Sequence, residues 1–167
     1  LEPKPKDYEG EWKGRKSGSY KWFEIQDAIS YHTEFNKPKI IYPNMTKYLP
    51  FVYDKGSFFI NDKGFIMSGK YLSYLTLFFN SSLFRFCFKD KFPELLGETR
   101  ELRKVFFETI EVKTITDETW FKEKLEQMLV AMNEGLPTLE LQNVIEEKFF
   151  DLYELDIDER ILVQSQA

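Results

Sequence analysis

A chain of 167 residues with 17% aromatic content is long enough to bury one proper core and too aromatic to stay disordered. Its single cysteine, Cys87, excludes an internal disulfide and a cysteine-rich zinc site, so a reducing, cytoplasmic setting is expected. The net charge of −5 argues against nucleic acid as a partner for the chain as a whole, and no apolar run approaches the length of a membrane span.

The average charge hides a division. Residues 1–104 carry 18 Lys/Arg against 13 Asp/Glu, whereas residues 105–167 carry 5 against 15. Such asymmetry hints at a polyanion-facing part joined to a part with another task. The start is polar, has no apolar signal core and lacks Met, so a piece of a larger protein is expected.

Residues 1–20 read as a polar, basic arm. Gly10, Gly14 and Gly18 are interleaved with Arg15, Lys16, Trp12 and Tyr20, and Lys21 follows, a mixture suited to phosphates and stacked contacts. From Lys21 to Phe35, Trp22, Ile25, Ile29 and Tyr31 fall near helical spacing. The only histidine, His32, is assigned no chemistry.

Lys37-Pro38-Lys39-Ile40-Ile41-Tyr42-Pro43 reads as a short strand bounded by prolines, with Lys37 and Lys39 placed to project charge at its entry. The plainer reading is that these lysines keep an edge strand from pairing with other chains. A polar loop, Asn44–Tyr48, follows. Strands are then expected at Leu49–Tyr53, Ser57–Ile60 and Phe65–Ser68, joined by Gly-closed turns as successive hairpins.

Gly69 opens a helix carrying Tyr71, Leu72, Leu75, Phe78 and Phe79. Asn80-Ser81-Ser82 breaks it, with Asn80 fit for a left-handed cap and a serine fit to cap the next helix, which carries Leu83, Phe86 and a buried Cys87. Phe92–Lys104 reads as a connector and Val105–Val112 as a strand. Asp117 can cap a helix over Trp120–Asn133 that Gly135 and Pro137 end; a second helix covers about Leu139–Tyr153, and Asp156 with Glu159 makes a capping box for a last one. The fold class is therefore α+β, a mixed, largely antiparallel sheet with short packed helices followed by a C-terminal helical segment. Residues 1–113 form the expected first unit and 114–167 the acidic helical one. No phosphate-cradling glycine motif occurs.

Trp22-Phe-Glu-Ile-Gln-Asp with Tyr31 and Phe35, then Lys37-Pro-Lys-Ile-Ile-Tyr42, resembles the TaqI-like target recognition domains of adenine methyltransferases in restriction–modification systems. The likeness runs on through Phe51–Asp54, Phe58-Phe59, Asn61, Tyr71-Leu72 and Phe79-Asn80-Ser81 to Ile145–Leu155, covering roughly residues 20–165. Phe79 stands where the family usually has Leu, and Ile110-Glu111-Val112 lacks the prolines common at the domain's exit.

The resemblance implies a module that reads double-stranded DNA next to the parent's methyltransferase domain. Base flipping and S-adenosylmethionine-dependent adenine-N6 methylation belong to that parent, with or without a fused, Mg2+-using endonuclease. No Asn-Pro-Pro-Tyr signature is present, and Phe92-Pro93-Glu94 has no following partner at nuclease spacing, so this segment is expected to be catalytically silent and to hold no cofactor or metal of its own. Arg15, Lys16, Lys21, Lys37 and Lys39 are the expected phosphate contacts, and Asn44, Thr46, Lys47 and Tyr48 the loop nearest the bases. The alternatives are a protein-interaction module docking a partner through its acidic C-terminal helices and, with no nucleophile–base pair or metal cluster to support it, a free-standing hydrolase.

Overall fold

The computed structural model describes residues 2–26 and 30–166. It is an α+β fold. A 3-10 turn at Ser30–Asn36 leads into β1 (Lys39–Pro43), β2 (Met45–Thr46), β3 (Val52–Asp54) and β4 (Gly64–Met67). Helices α1 (Leu72–Phe79) and α2 (Ser82–Lys91) follow, then β5 (Arg100–Glu101) and the short α3 (Lys104–Phe107). Three longer helices close the chain: α4 (Thr119–Glu134), α5 (Leu139–Leu152) and α6 (Ile157–Gln166).

The main sheet has the order β3-β1-β4, both neighbours antiparallel to β1, and β2 pairs separately with β5. This corrects the expected run of hairpins. With β1 in the centre, β3 and β4 run parallel to each other, so residues 55–63 must travel from one end of the sheet to the other. Ser57–Ile60 is not a strand because Asp54 takes its backbone: the carboxylate accepts from Ser57 N–H at 3.0 Å and Phe58 N–H at 3.1 Å, an alternative to a ladder. Gly56 is required there. Its φ of 113° is left-handed, and a Cβ would lie 2.7 Å from the Asn36 carbonyl oxygen.

One face of the sheet, carrying Ile40 and Tyr42, packs on α1, which is buried along nearly its whole length. Phenylalanine fills the space between elements. Phe51, Phe79, Phe84 and Phe107 interlock with centroids 5.0–5.9 Å apart, and Tyr74, Phe78, Phe121 and Phe149 continue the cluster towards the C-terminal helices. The core thus runs without a break across residue 113.

Those acidic helices also supply acceptors to helix starts. Glu118 accepts from the N–H groups of Ser73 and Tyr74 at 2.8 and 3.3 Å, at the start of α1. Glu146 accepts from Ser82 N–H at 2.8 Å and Ser82 Oγ at 2.5 Å, at the start of α2, where Ser81 also caps the Phe84 N–H. Carboxylates at helix N-termini meet unsatisfied donors and the positive end of the helix dipole. The expected serine cap is present, as is the Asp156–Glu159 box, with reciprocal bonds of 2.9 Å. Gly135, at φ 69°, ends α4 in the left-handed conformation.

Three further expectations are corrected. Asn80 is not left-handed (φ −102°); its side chain ends α1 instead, donating to the Thr76 and Phe51 carbonyls at 2.8 Å each. Val105–Val112 is not a strand: α3 turns Phe106 and Phe107 onto Phe92, and the strand of this region is β5 within the connector. Cys87 is half-buried rather than buried, and burial pushes its thiol pKa up. Of the positions expected near helical spacing, Trp22 and Ile25 are not helical and Tyr31 lies in the 3-10 turn; Ile29 lies outside the described residues. Among the described residues no helix is long and apolar enough to cross a membrane.

Candidate nucleic-acid interface

The antiparallel register sorts the candidate residues into two groups at opposite ends of β1, which at about 3.3 Å per residue is roughly 15 Å long. At the exit end, where Pro43 pairs with Gly64, lie the loop 44–48 and the turn 61–64. At the entry end lie Lys37, Lys39 and the 3-10 turn, with the basic arm preceding them in sequence.

The exit loop is fixed at its base and free at its tip. Asn44 N–H donates to the Lys63 carbonyl at 2.9 Å, and the Asn44 carbonyl accepts from Leu102 N–H at 2.8 Å. The Met45–Glu101 and Thr46–Arg100 pairs then hold β2. Thr46 Oγ1 accepts from Tyr48 N–H at 3.0 Å and donates to the Tyr48 carbonyl at 2.8 Å, closing a tight turn. Beyond that anchor Lys47 is exposed and Tyr48 is 74% exposed, and neither side chain has a hydrogen-bond or charge partner among the described residues. Asn44 belongs to the foundation rather than the tip. Its Oδ1 is buried without a donor among the described residues, so it is a poor candidate for reading bases.

Three cations that sequence reasoning missed gather near this loop. Lys63 is linked through Asn44; Arg103 and Lys104 continue from β5. Arg103 pairs at 2.8 Å with Glu101, whose side chain is largely buried, whereas Lys63 with Asp62 at 3.1 Å and Lys104 with Glu108 at 3.3 Å form exposed ion pairs. Exposed pairs of this kind hold their cations weakly. The signals that could have found them were the β1–β4 register, for Lys63, and the pairing of β2 with β5, for Arg103 and Lys104, which two-residue strands do not announce in sequence.

At the entry end, Lys39 is corrected. Its side chain is fully buried, and its ammonium donates to the Asp54 carboxylate and, at 2.6 Å, to the Phe35 carbonyl. Burial would raise the Asp54 pKa, but Lys39 and the N–H groups of Ser57, Phe58 and Gly56 outweigh it and hold the carboxyl below its ordinary value. Lys39 is therefore neither a phosphate contact nor an edge guard. It pins the 3-10 turn, β1 and β3 together. Lys37 is exposed and bonded to Glu34 at 2.5 Å.

Arg15 is likewise committed inside its arm. Its guanidinium donates to the carbonyls of Trp22 at 2.9 Å and Glu24 at 2.6 Å, and it stacks on Tyr20 at 4.5 Å. That use of both terminal nitrogens makes it the arm's brace rather than a phosphate clamp. Lys21 stands 5.6 Å over Phe23, and the Lys16 carbonyl accepts from the Tyr20 hydroxyl. Just after the arm, Trp22, Phe23 and Ile25 are exposed.

The fold thus joins Thr46, Lys47 and Tyr48 with Lys63, Arg103 and Lys104 at one end, and leaves Lys37 at the other. No protein-family model matches the chain. No curated protein matches it.

Proposed function

We propose that this chain is a sequence-specific double-stranded DNA recognition module, the specificity portion of a restriction–modification adenine methyltransferase whose catalysis lies elsewhere in the parent chain. The observation that carries this reading is the exit loop: a cation and an aromatic ring displayed from a turn anchored on three sides, with exchangeable cations around it. A rigid base is what base readout needs, because hydrogen bonds to base edges discriminate only when their geometry is fixed. Weakly paired cations are what phosphate contact needs, because they exchange a surface carboxylate for a backbone oxygen.

In this reading Thr46 and Tyr48 meet base edges, Lys47, Lys63, Arg103 and Lys104 set register on the phosphates, and Lys37 reaches the backbone from the other end of the sheet. The acidic helices serve the parent's methyltransferase domain. The test is fluorescence anisotropy with a labelled random-sequence duplex over a salt series. Binding whose logarithm falls linearly with log salt is expected. Affinity that ignores salt, or that is equal for an uncharged polymer control, would overturn the reading.

A further inference from the structure

The strand edge opposite β1 offers a second site, independent of the DNA reading. A groove of about 600 Å³ lies between β3 and α4, within the roughly 300–1,000 Å³ usual for binding clefts. One wall is a helical stripe of α4, with Leu125, Met128, Leu129 and Met132 at positions i, i+3, i+4 and i+7. The other wall is the free edge of β3. The Lys55–Glu126 ion pair, with contacts of 2.9 and 3.1 Å, ties the residue after β3 to α4.

The register shows what that edge presents. The bond from Asn44 N–H to the Lys63 carbonyl extends the β1–β4 ladder by one pair, so Ile40 and Tyr42 bond to β4 while Lys39 and Ile41 bond to β3. Val52 and Asp54 therefore turn their backbone groups inward to β1, and Phe51 and Tyr53 turn theirs outward. The Phe51 carbonyl is taken by Asn80 Nδ2 at 2.8 Å. The N–H and C=O of Tyr53 have no partner among the described residues, and Tyr53 lines the groove.

The groove's polar lining includes one cation without a hydrogen bond of its own. The Arg85 guanidinium is exposed and makes no hydrogen bond or close ion pair among the described residues; it attracts the neighbouring Glu146 carboxylate, whose hydrogen bonds go to Ser82. An unpaired donor and acceptor on a strand edge, an apolar helical wall and an exposed guanidinium together select one kind of occupant. We infer that the groove takes an extended segment of a partner protein, added as a strand to β3, with apolar side chains on the α4 stripe and a carboxylate on Arg85. Main-chain bonds at Tyr53 supply register; the methionines adapt to the side chains they meet.

The test pans the full 167-residue chain against displayed random heptapeptides, in parallel with its Arg85→Glu and Met132→Lys variants. Both substituted residues are exposed, so folding should be retained, and thermal unfolding checks it. The expected result is enrichment of alternating apolar heptapeptides with Asp or Glu towards one end. A synthetic peptide of the enriched sequence should bind at least about tenfold more weakly to each variant and should slow exchange of the Tyr53 amide, with duplex binding unchanged. No enrichment, or a bound peptide indifferent to both substitutions, would overturn the inference. Self-association of the chain abolished by the same substitutions would assign the groove to a second copy and overturn it equally.

Discussion

The ammonium of Lys39 and the carboxylate of Asp54, fifteen residues apart, form a buried ion pair in which every other contact is also structural. Lys39 reaches back to the Phe35 carbonyl, and Asp54 reaches forward to the Ser57 and Phe58 amides. Removing one partner strands the other charge in the interior, which costs about 3–5 kcal/mol. Lys39→Met should therefore lower the unfolding free energy obtained from urea titration by that amount, and Lys39→Met/Asp54→Asn should recover part of it. A single-variant loss below about 1 kcal/mol would show that the pair is not buried in solution.

The same carboxylate sets a sign for acid sensitivity. Its folded pKa lies below the unfolded value of about 3.9, so its contribution is full above that value and is lost as pH falls through the folded one. Glu146 has the opposite sign. Burial raises its pKa despite the bonds from Ser82, so the native state takes up its proton first and gains relative stability as pH falls towards about 4.3. Urea titrations across the acid range should show Asp54→Asn flattening the lower limb and Glu146→Gln flattening the upper one.

Glu118 is an acceptor brought to the α1 start from 45 positions away. Its replacement by Ala should cost about 0.5–2 kcal/mol, the usual worth of an N-terminal cap. Calorimetry checks the size. Native-state exchange should show the Ser73 and Tyr74 amides losing protection first.

Much of this was legible in the sequence, and the failures have local causes. The helix ends at Ser81, Gly135 and Asp156–Glu159 were readable because caps are chosen by short-range chemistry. The exposed tip at Lys47 and Tyr48 was readable because a polar stretch followed a proline-bounded strand. Strand order was not, since it depends on Asp54 capturing the amides of Ser57 and Phe58, and nothing in the Asp54-Lys55-Gly56 stretch distinguishes that from a hairpin. Lys39 was misjudged for a related reason. Alternation puts it on the sheet face away from α1, and only the β1–β3 register brings Asp54 to it. Lys63, Arg103 and Lys104 became visible only through contacts between distant segments.

The arm and the exit loop should separate in a salt series. Lys47→Ala is expected to weaken binding to all duplexes alike and to reduce the magnitude of the salt slope by about 0.9. Arg15→Ala should instead loosen the arm, speeding amide exchange over residues 21–24 while leaving the slope unchanged. An equal slope change in both variants would return Arg15 to the phosphate contacts.

Sequence choice is the property that distinguishes a recognition module from a generally basic surface. Incubating the chain with a random duplex pool and sequencing the retained fraction measures it directly, for the native chain and for Tyr48→Ala. The account expects one enriched motif for the native chain, blurred or altered at particular positions by Tyr48→Ala. A retained fraction as random as the input, or a motif identical in both proteins, would contradict the placing of base readout on the 44–48 loop.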